Sequence, residues 1–168
     1  MSKRFYRNIQ ALLLLLTLMV IGEAFYFQFY RGLEPCPLCV MQRICAFLLG
    51  MLCLMGLCLS TLRRARTIAF FQIFFALSGL YFSLRQIWLQ QFAEDPQSCM
   101  PGLDILMRYF PWQDVARALF LGSGSCSEVT WQWLGLSMPM WAALYFLFIL
   151  FASVVVFWRI GKTLDQIK

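Results

Sequence analysis

Apolar residues gather in four long runs along the chain, separated by polar segments of very different length. Each run holds about 20 mostly apolar residues, the length that a helix needs to cross the hydrocarbon core of a membrane. The pattern predicts four spanning helices at roughly 9–28, 40–60, 67–88 and 138–158. We therefore expect an all-α fold, a four-helix transmembrane bundle that forms a single integral membrane domain over residues 1–168.

The first run has a second interpretation, as a cleaved signal peptide. Basic residues precede it, and Gly22-Glu23-Ala24 is a weak match to a cleavage site with small residues. The apolar run nevertheless continues through aromatic residues beyond Ala24. We interpret it as a retained span.

The connection over residues 89–137 is long, and connections of this length are commonly functional. Apolar residues recur at helical spacing from Leu103 to Phe110 and again, after Pro111, from Trp112 to Leu119. Each half is too short to span a membrane. We expect short amphipathic helices lying flat on the membrane surface, and the alternative is a small soluble cap with its own core.

Composition and charge agree with a membrane protein. The chain is 61% hydrophobic and 13% charged, whereas soluble domains are roughly half apolar and a quarter charged. Nine of its 14 basic residues lie at the two termini and between the second and third runs: Lys3, Arg4, Arg7, Arg63, Arg64, Arg66, Arg159, Lys162 and Lys168. The positive-inside rule places these segments in the cytoplasm. We expect a bacterial inner-membrane protein with both termini cytoplasmic and no nucleic-acid partner.

The residues available for chemistry are mainly cysteines. The absence of histidine excludes Ser-His-Asp triads and histidine-ligated haem or zinc. On the outer side, where disulfides persist, the topology places Cys36, Cys39, Cys99 and Cys126. The second run contains Cys45, Cys53 and Cys58, which we expect to pack as small hydrophobic residues.

The segment EPCPLCVMQR places Cys36 and Cys39 at a predicted helix start. Free N–H groups and the helix dipole stabilise a thiolate there, and Arg43 adds a positive charge one turn further on. A thiolate attacks disulfides or donates electrons, so the pattern predicts a redox centre. Arg43 has two interpretations that remain open: its side chain extends to the lipid headgroups, or it binds an electron-rich oxygen.

Cys99 and Cys126 also have more than one interpretation. They form either a static disulfide that tethers the long connection or a second redox-active pair. A four-thiolate metal site usually shows two closely spaced pairs, and this chain has only one. We therefore expect no metal.

The segments YFQFYRGLEPCPLCVMQR, SLRQIWLQQF and GSGSCSEVTWQWLGLSMPMW, in this order, resemble the disulfide bond formation protein B (DsbB) family over essentially the whole chain. The resemblance implies a membrane thiol:quinone oxidoreductase. Such an enzyme reoxidises a periplasmic, thioredoxin-like dithiol protein of the DsbA type and passes the electrons to the membrane quinone pool, with ubiquinone favoured over menaquinone.

The resemblance also implies roles for single residues. Cys99 and Cys126 correspond to the pair that faces the partner, and Cys36 and Cys39 to the pair linked to quinone. The partner's thiolate attacks Cys99, Cys126 then exchanges with Cys36, and Cys39 is freed as a thiolate beside the quinone. The cofactor-binding residues implied are Arg43 and Met138.

The chain departs from the family in lacking a histidine near the quinone, and Gln42 stands where a relative can carry an acid. Two rival functions remain. A vitamin K epoxide reductase-like quinone enzyme would carry its CxxC after the loop pair, whereas here the CxxC comes first. A non-enzymatic membrane scaffold with structural outer disulfides would need no thiolate-stabilising site.

Overall fold

The computed structural model describes residues 3–32, 35–58, 61–92, 111–122, 126 and 131–165. Its four long helices are α1 (Lys3–Arg31), α2 (Pro37–Cys58), α3 (Leu62–Phe92) and α5 (Met138–Asp165). Between α3 and α5 lie a shorter helix and an antiparallel hairpin, α4 (Trp112–Leu121), β1 (Gln132–Trp133) and β2 (Leu136–Ser137).

The four long helices confirm the predicted all-α bundle. Each is long and apolar enough to cross a membrane. Many large apolar side chains are exposed on their outer faces, among them Leu18, Phe74 and Phe151. A soluble protein rarely exposes so much apolar surface, whereas lipid tails cover it at no cost. The chain is therefore a multi-pass membrane protein.

The helices extend beyond the apolar runs from which they were predicted. The third continues to Phe92, so the predicted start of the connection at residue 89 is wrong. The second begins at Pro37 rather than at residue 40, and the last reaches Asp165. Backbone hydrogen bonding does not stop at the edge of an apolar window, because polar and basic residues form good helical turns at the membrane boundary.

The connection is described only in part. Cys99 and the helix predicted from Leu103 to Phe110 lie outside the described residues. The second predicted helix is confirmed as α4, which packs against α2 and buries Ala118. No strand was predicted here, so the hairpin formed by β1 and β2 is an addition to the expected fold.

Helices α3 and α5 approach each other closely. Gly79 on α3 leaves room for the ring of Phe146, and a Cβ atom at this position would lie 2.3 Å from the ring. Small residues allow such close approach between membrane helices. Leu13, Leu49 and Ile149 complete a core that joins the four long helices.

Buried polar pairs join the helices inside this apolar core. Gln10 and Gln72 exchange side-chain hydrogen bonds between α1 and α3, at 2.9 and 3.3 Å. Thr17 on α1 lies 2.8 Å from the hydroxyl of Tyr145 on α5. Without water in the membrane core, such groups must find partners within the protein.

The prediction that three cysteines pack inside the second span is confirmed for two of them. Cys45 and Cys53 are buried in the core. Cys58 is exposed, so the prediction is wrong there. It is the last residue of α2, where the neighbouring helices no longer cover the chain.

We expect Gly79→Ala to lower the free energy of unfolding by about 1–3 kcal/mol, the usual cost of overpacking, since the new methyl group would overlap the Phe146 ring. Thermal unfolding in detergent measures the effect. Gly22→Ala on α1 is the matched control, because nothing lies within 4 Å of its added Cβ. Equal unfolding midpoints for the two variants would contradict the close packing.

Candidate functional site

Helix α2 begins with a sulfur atom as its cap. Cys36 directly precedes the helix, and its carbonyl oxygen accepts the first helical hydrogen bond from Val40 at 3.1 Å. Its Sγ accepts the backbone N–H of Cys39 at 3.4 Å, the bond that a serine or aspartate oxygen makes at an N-cap. Pro37 occupies the first helical position, where no N–H is needed. The CxxC spacing therefore brings both sulfurs to the first turn.

The two thiols contact each other and the side-chain amide of Gln86. Cys36 donates to Cys39 across 2.8 Å between the Sγ atoms. Gln86 on α3 places its Nε2 3.3 Å from the sulfur of Cys39 and 3.5 Å from that of Cys36. Gln42, one turn along α2, donates to Gln86 Oε1 at 2.9 Å. Two hydrogen-bond donors, the thiol of Cys36 and Nε2 of Gln86, therefore meet at the sulfur of Cys39.

Cys126 reaches the same site from the connection. It is buried, and its thiol lies within hydrogen-bonding distance of Cys36. The hydrogen bond with Cys126, the one with Cys39 and burial together raise the pKa of the Cys36 thiol well above its ordinary value. Cys36 therefore keeps its proton at neutral pH, and its sulfur lies between the other two.

Arg43 is held by hydrogen bonds to α1. Its guanidinium donates to the backbone oxygen of Ala24 at 3.0 Å and to the side-chain oxygen of Gln28. Its Cζ lies 5.9 Å from the centre of the Phe25 ring. These partners are neutral, so they fix the position of the positive charge without cancelling it.

A cavity of about 870 Å³ opens beside the cysteine pair, and Cys39, Arg43, Gln42, Gln86 and Met138 line it. The rest of its wall is mostly apolar and aromatic. Pockets for drug-sized ligands have volumes of about 300–1,000 Å³ and combine apolar walls with a few polar groups. The site is thus large enough for a ring-shaped organic molecule.

The hairpin closes one side of this cavity. Trp131 packs against Phe27 of α1 with 5.0 Å between the ring centres, and Trp133 packs against Trp141 of α5 at 5.5 Å. Both turn residues, Leu134 and Gly135, have positive φ angles, as a two-residue type I′ turn requires.

A polar contact fixes the hairpin to the bundle. Ser137, the last residue of β2, donates to Gln90 on α3 at 2.9 Å. Helix α5 begins at the next residue, Met138. The contact therefore helps to position Met138 at the cavity wall.

The structure brings together most of the residues that the sequence singles out. Cys36, Cys39, Arg43 and Met138 surround one site, and Cys126 joins it through Cys36. Cys99 lies outside the described residues.

Sequence reasoning missed the amide of Gln86 and named Gln42 only as a departure from the family, without its contact with Gln86. The available signal was a polar side chain near the end of an apolar span, a position that is frequently functional. The identity of its partner could not be read from the sequence, since Gln86 and Cys39 are 47 positions apart.

Fold and site together define a multi-pass membrane protein with a cysteine pair at a helix start beside an apolar cavity. The family model described as "Disulfide bond formation protein DsbB" matches residues 6–156. The chain belongs to this family, whose name refers to the formation of disulfide bonds.

Individual relatives are similar along almost their whole length. "Disulfide bond formation protein B" of Stutzerimonas stutzeri is 34% identical over 92% of this chain and 94% of its own. "Disulfide bond formation protein B 1" of Pseudomonas aeruginosa is 38% identical over 91% and 95%. The protein of the same family name from Chromobacterium violaceum is 39% identical over 84% and 85%.

We expect iodoacetamide to modify Cys36 of the reduced protein at least about tenfold more slowly than the exposed Cys58 at pH 8, as measured by peptide mass spectrometry. Each unit by which the pKa of Cys36 is raised lowers its thiolate fraction tenfold. Its modification should therefore still accelerate as the pH rises above 9.

Cys126→Ala removes the largest cause of the raised pKa of Cys36. Modification of Cys36 should then become faster at pH 8, while the rate at Cys58 stays the same. Equal rates at Cys36 and Cys58 in the unsubstituted protein would contradict this account.

Proposed function

We propose that the protein is a protein-dithiol:quinone oxidoreductase of the bacterial inner membrane. It reoxidises a DsbA-type periplasmic dithiol protein by disulfide exchange and passes the electrons to quinone. The observation that carries the proposal is that the pair Cys36 and Cys39 lies between the cavity and the connection. Cys39 lines the apolar cavity, whereas Cys36 contacts Cys126 of the connection.

The residues at the cavity fit a quinone. A quinone ring is planar and apolar with two carbonyl oxygens, so it needs apolar walls and a few hydrogen-bond donors. Arg43 supplies a positive donor, Gln86 a neutral one, and Met138 and Trp141 supply apolar wall. When bound, a quinone accepts two electrons and two protons. We assign ubiquinone as the preferred acceptor.

Thiol exchange can carry electrons from the partner to this site without a metal. The partner's thiolate attacks Cys99 of a Cys99–Cys126 disulfide, forms a mixed disulfide and releases the thiolate of Cys126. Cys126 then attacks Cys36 of a Cys36–Cys39 disulfide and releases Cys39 as a thiolate at the cavity. The contact between Cys36 and Cys126 supports the second exchange.

The electrons and protons of the whole cycle balance. The partner's second thiol attacks the partner's own sulfur in the mixed disulfide, so the partner leaves with a new disulfide and Cys99 is released as a thiolate. Cys99 then attacks Cys126 of the Cys36–Cys126 disulfide, which re-forms Cys99–Cys126 and releases Cys36. Cys36 and Cys39 would return to a disulfide as they give up two electrons and two protons. Both electrons and both thiol protons of the partner end on the quinone. The four cysteines of this chain return to two disulfides, so the cycle needs no other oxidant.

The distribution of charge supports the proposed orientation. The thiols lie where α1 ends and α2 begins, whereas the basic residues near the start of α1, the start of α3 and the end of α5 lie at the other end of the bundle. The positive-inside rule assigns that basic end and both termini to the cytoplasm. The cysteine pair then faces the periplasm.

We expect the purified protein to reduce ubiquinone when it is mixed without oxygen with a reduced thioredoxin-like dithiol protein. Loss of the ultraviolet absorbance of the oxidised quinone measures the reaction. Cys39→Ser should abolish it, because the thiolate at the cavity is lost. Absence of reduction with either ubiquinone or menaquinone, by protein with all four outer cysteines intact, would favour the scaffold with structural disulfides.

We expect Arg43→Gln to lower the rate of quinone reduction about 10- to 100-fold, since it removes a fixed charge from the place where negative charge develops. Arg85→Gln is the matched control. Arg85 lies near the same end of the bundle and donates to a backbone oxygen, that of Leu121 at 3.3 Å. Equal losses in the two variants would contradict a role of Arg43 in quinone binding.

A further inference from the structure

Gln86 is a buried polar side chain that contacts both sulfurs, and the exchange scheme gives it no part in the exchange steps. It is 4% exposed. Its Nε2 lies 3.3 Å from Cys39 Sγ, and its Oε1 lies 3.5 Å from the same atom. One end of the amide can therefore donate to a thiolate, and the other can accept from a thiol.

The orientation of this amide decides which end faces the sulfurs. The two ends of a glutamine amide have nearly the same shape, so a half turn exchanges donor and acceptor. Gln42 donates to Gln86 Oε1 at 2.9 Å and is itself buried. That bond occupies the acceptor end and leaves Nε2 directed to the cysteine pair.

We propose that Gln86 is a positioning residue that holds the sulfur of Cys39 through a neutral N–H donor, and that Gln42 sets the orientation of this donor. The positioning of Cys39 does not depend on the proposed function. Only its expected effect on quinone reduction rests on that function, in which the Cys39 thiolate donates the electrons. The donor is uncharged and remains available whatever the local pH.

The alternative role for Gln86 is to hold two helices together, and a second buried glutamine pair, away from the cavity, provides the comparison. Gln72, also on α3, donates to the sulfur of Cys53 on α2 at 3.2 Å. It pairs with Gln10 much as Gln86 pairs with Gln42. Gln72 is fully buried and does not line the cavity. It therefore has the same side chain and the same kind of contacts as Gln86, but it lies away from the site.

The test measures the reactivity of Cys39 directly, in the full-length protein with Cys36→Ser as background, because a serine oxygen can still accept the backbone N–H of Cys39. The rate of alkylation of Cys39 by iodoacetamide at pH 7 is followed by peptide mass spectrometry. Gln86→Leu should slow it about tenfold, the expected effect of losing a hydrogen bond to a charged group. Gln72→Leu should leave the rate unchanged, even where it lowers the unfolding midpoint as much.

A double-mutant cycle tests the role of Gln42. Gln42→Leu should slow the alkylation of Cys39 about threefold, because the amide of Gln86 is then free to turn. The same change should have no effect once Gln86→Leu is present, since it acts through Gln86. Independent, multiplying effects would overturn the orienting role. An unchanged rate in Gln86→Leu, or equal slowing in Gln72→Leu, would overturn the proposal.

Quinone reduction by the same variants with all cysteines intact separates this proposal from the proposed function. If the unsubstituted protein reduces no quinone but the alkylation rates differ as expected, the quinone function fails and the positioning role stands. If it reduces quinone, and Gln86→Leu neither slows turnover nor slows alkylation, the function stands and the positioning role fails.

Discussion

The bond between the sulfur of Cys36 and the backbone N–H of Cys39 is the contact on which the site depends. A helix start leaves N–H groups that need acceptors, and where it is buried, as at Cys36, the protein must supply them. Here the thiol of Cys36, a reactive group, supplies the acceptor for one of these N–H groups. Because the cap comes three residues before Cys39, the first turn of α2 places the second sulfur beside the first and directs it to the cavity. Stability of the helix start and proximity of the thiols therefore have the same cause.

The same requirement for polar partners explains how the bundle is joined. Lipid competes with side chains for apolar contacts, so apolar packing alone gives little specificity between membrane helices. The pair of Gln10 and Gln72 and the pair of Thr17 and Tyr145 join different helices inside the core. Each contact fixes a helix in rotation as well as in distance. The rotation of α3 that these contacts set also brings Gln86 to the cysteine pair. Gln86 is thus one of several buried polar side chains that pair with a neighbouring helix.

Much of this could be predicted from local sequence, and the failures have a common reason. Four apolar runs predict four helices, and a CxxC before an apolar run predicts thiols at a helix start. Gln86 could not be assigned to the site, because its contact with Cys39 depends on how α3 is rotated against α2. The hairpin was missed because its strands have two residues each and Leu134 adopts a positive φ angle that a leucine rarely takes. Cys58 was placed in the core although α2 ends there.

The site acts on the sulfur of Cys39 through two different kinds of positive potential. Arg43 points toward α1, where neutral oxygens hold it, so its full charge acts over the cavity with an energy that falls only as the inverse of distance. The amide of Gln86 comes from α3 and acts only at contact, because a hydrogen bond weakens steeply with distance and angle. The charge favours any anion that forms in the cavity, whether on sulfur or on a ligand oxygen. The amide favours only an atom in direct contact with it, as the sulfur of Cys39 is. A site with both can stabilise a thiolate at Cys39 and a negatively charged ligand atom in the cavity.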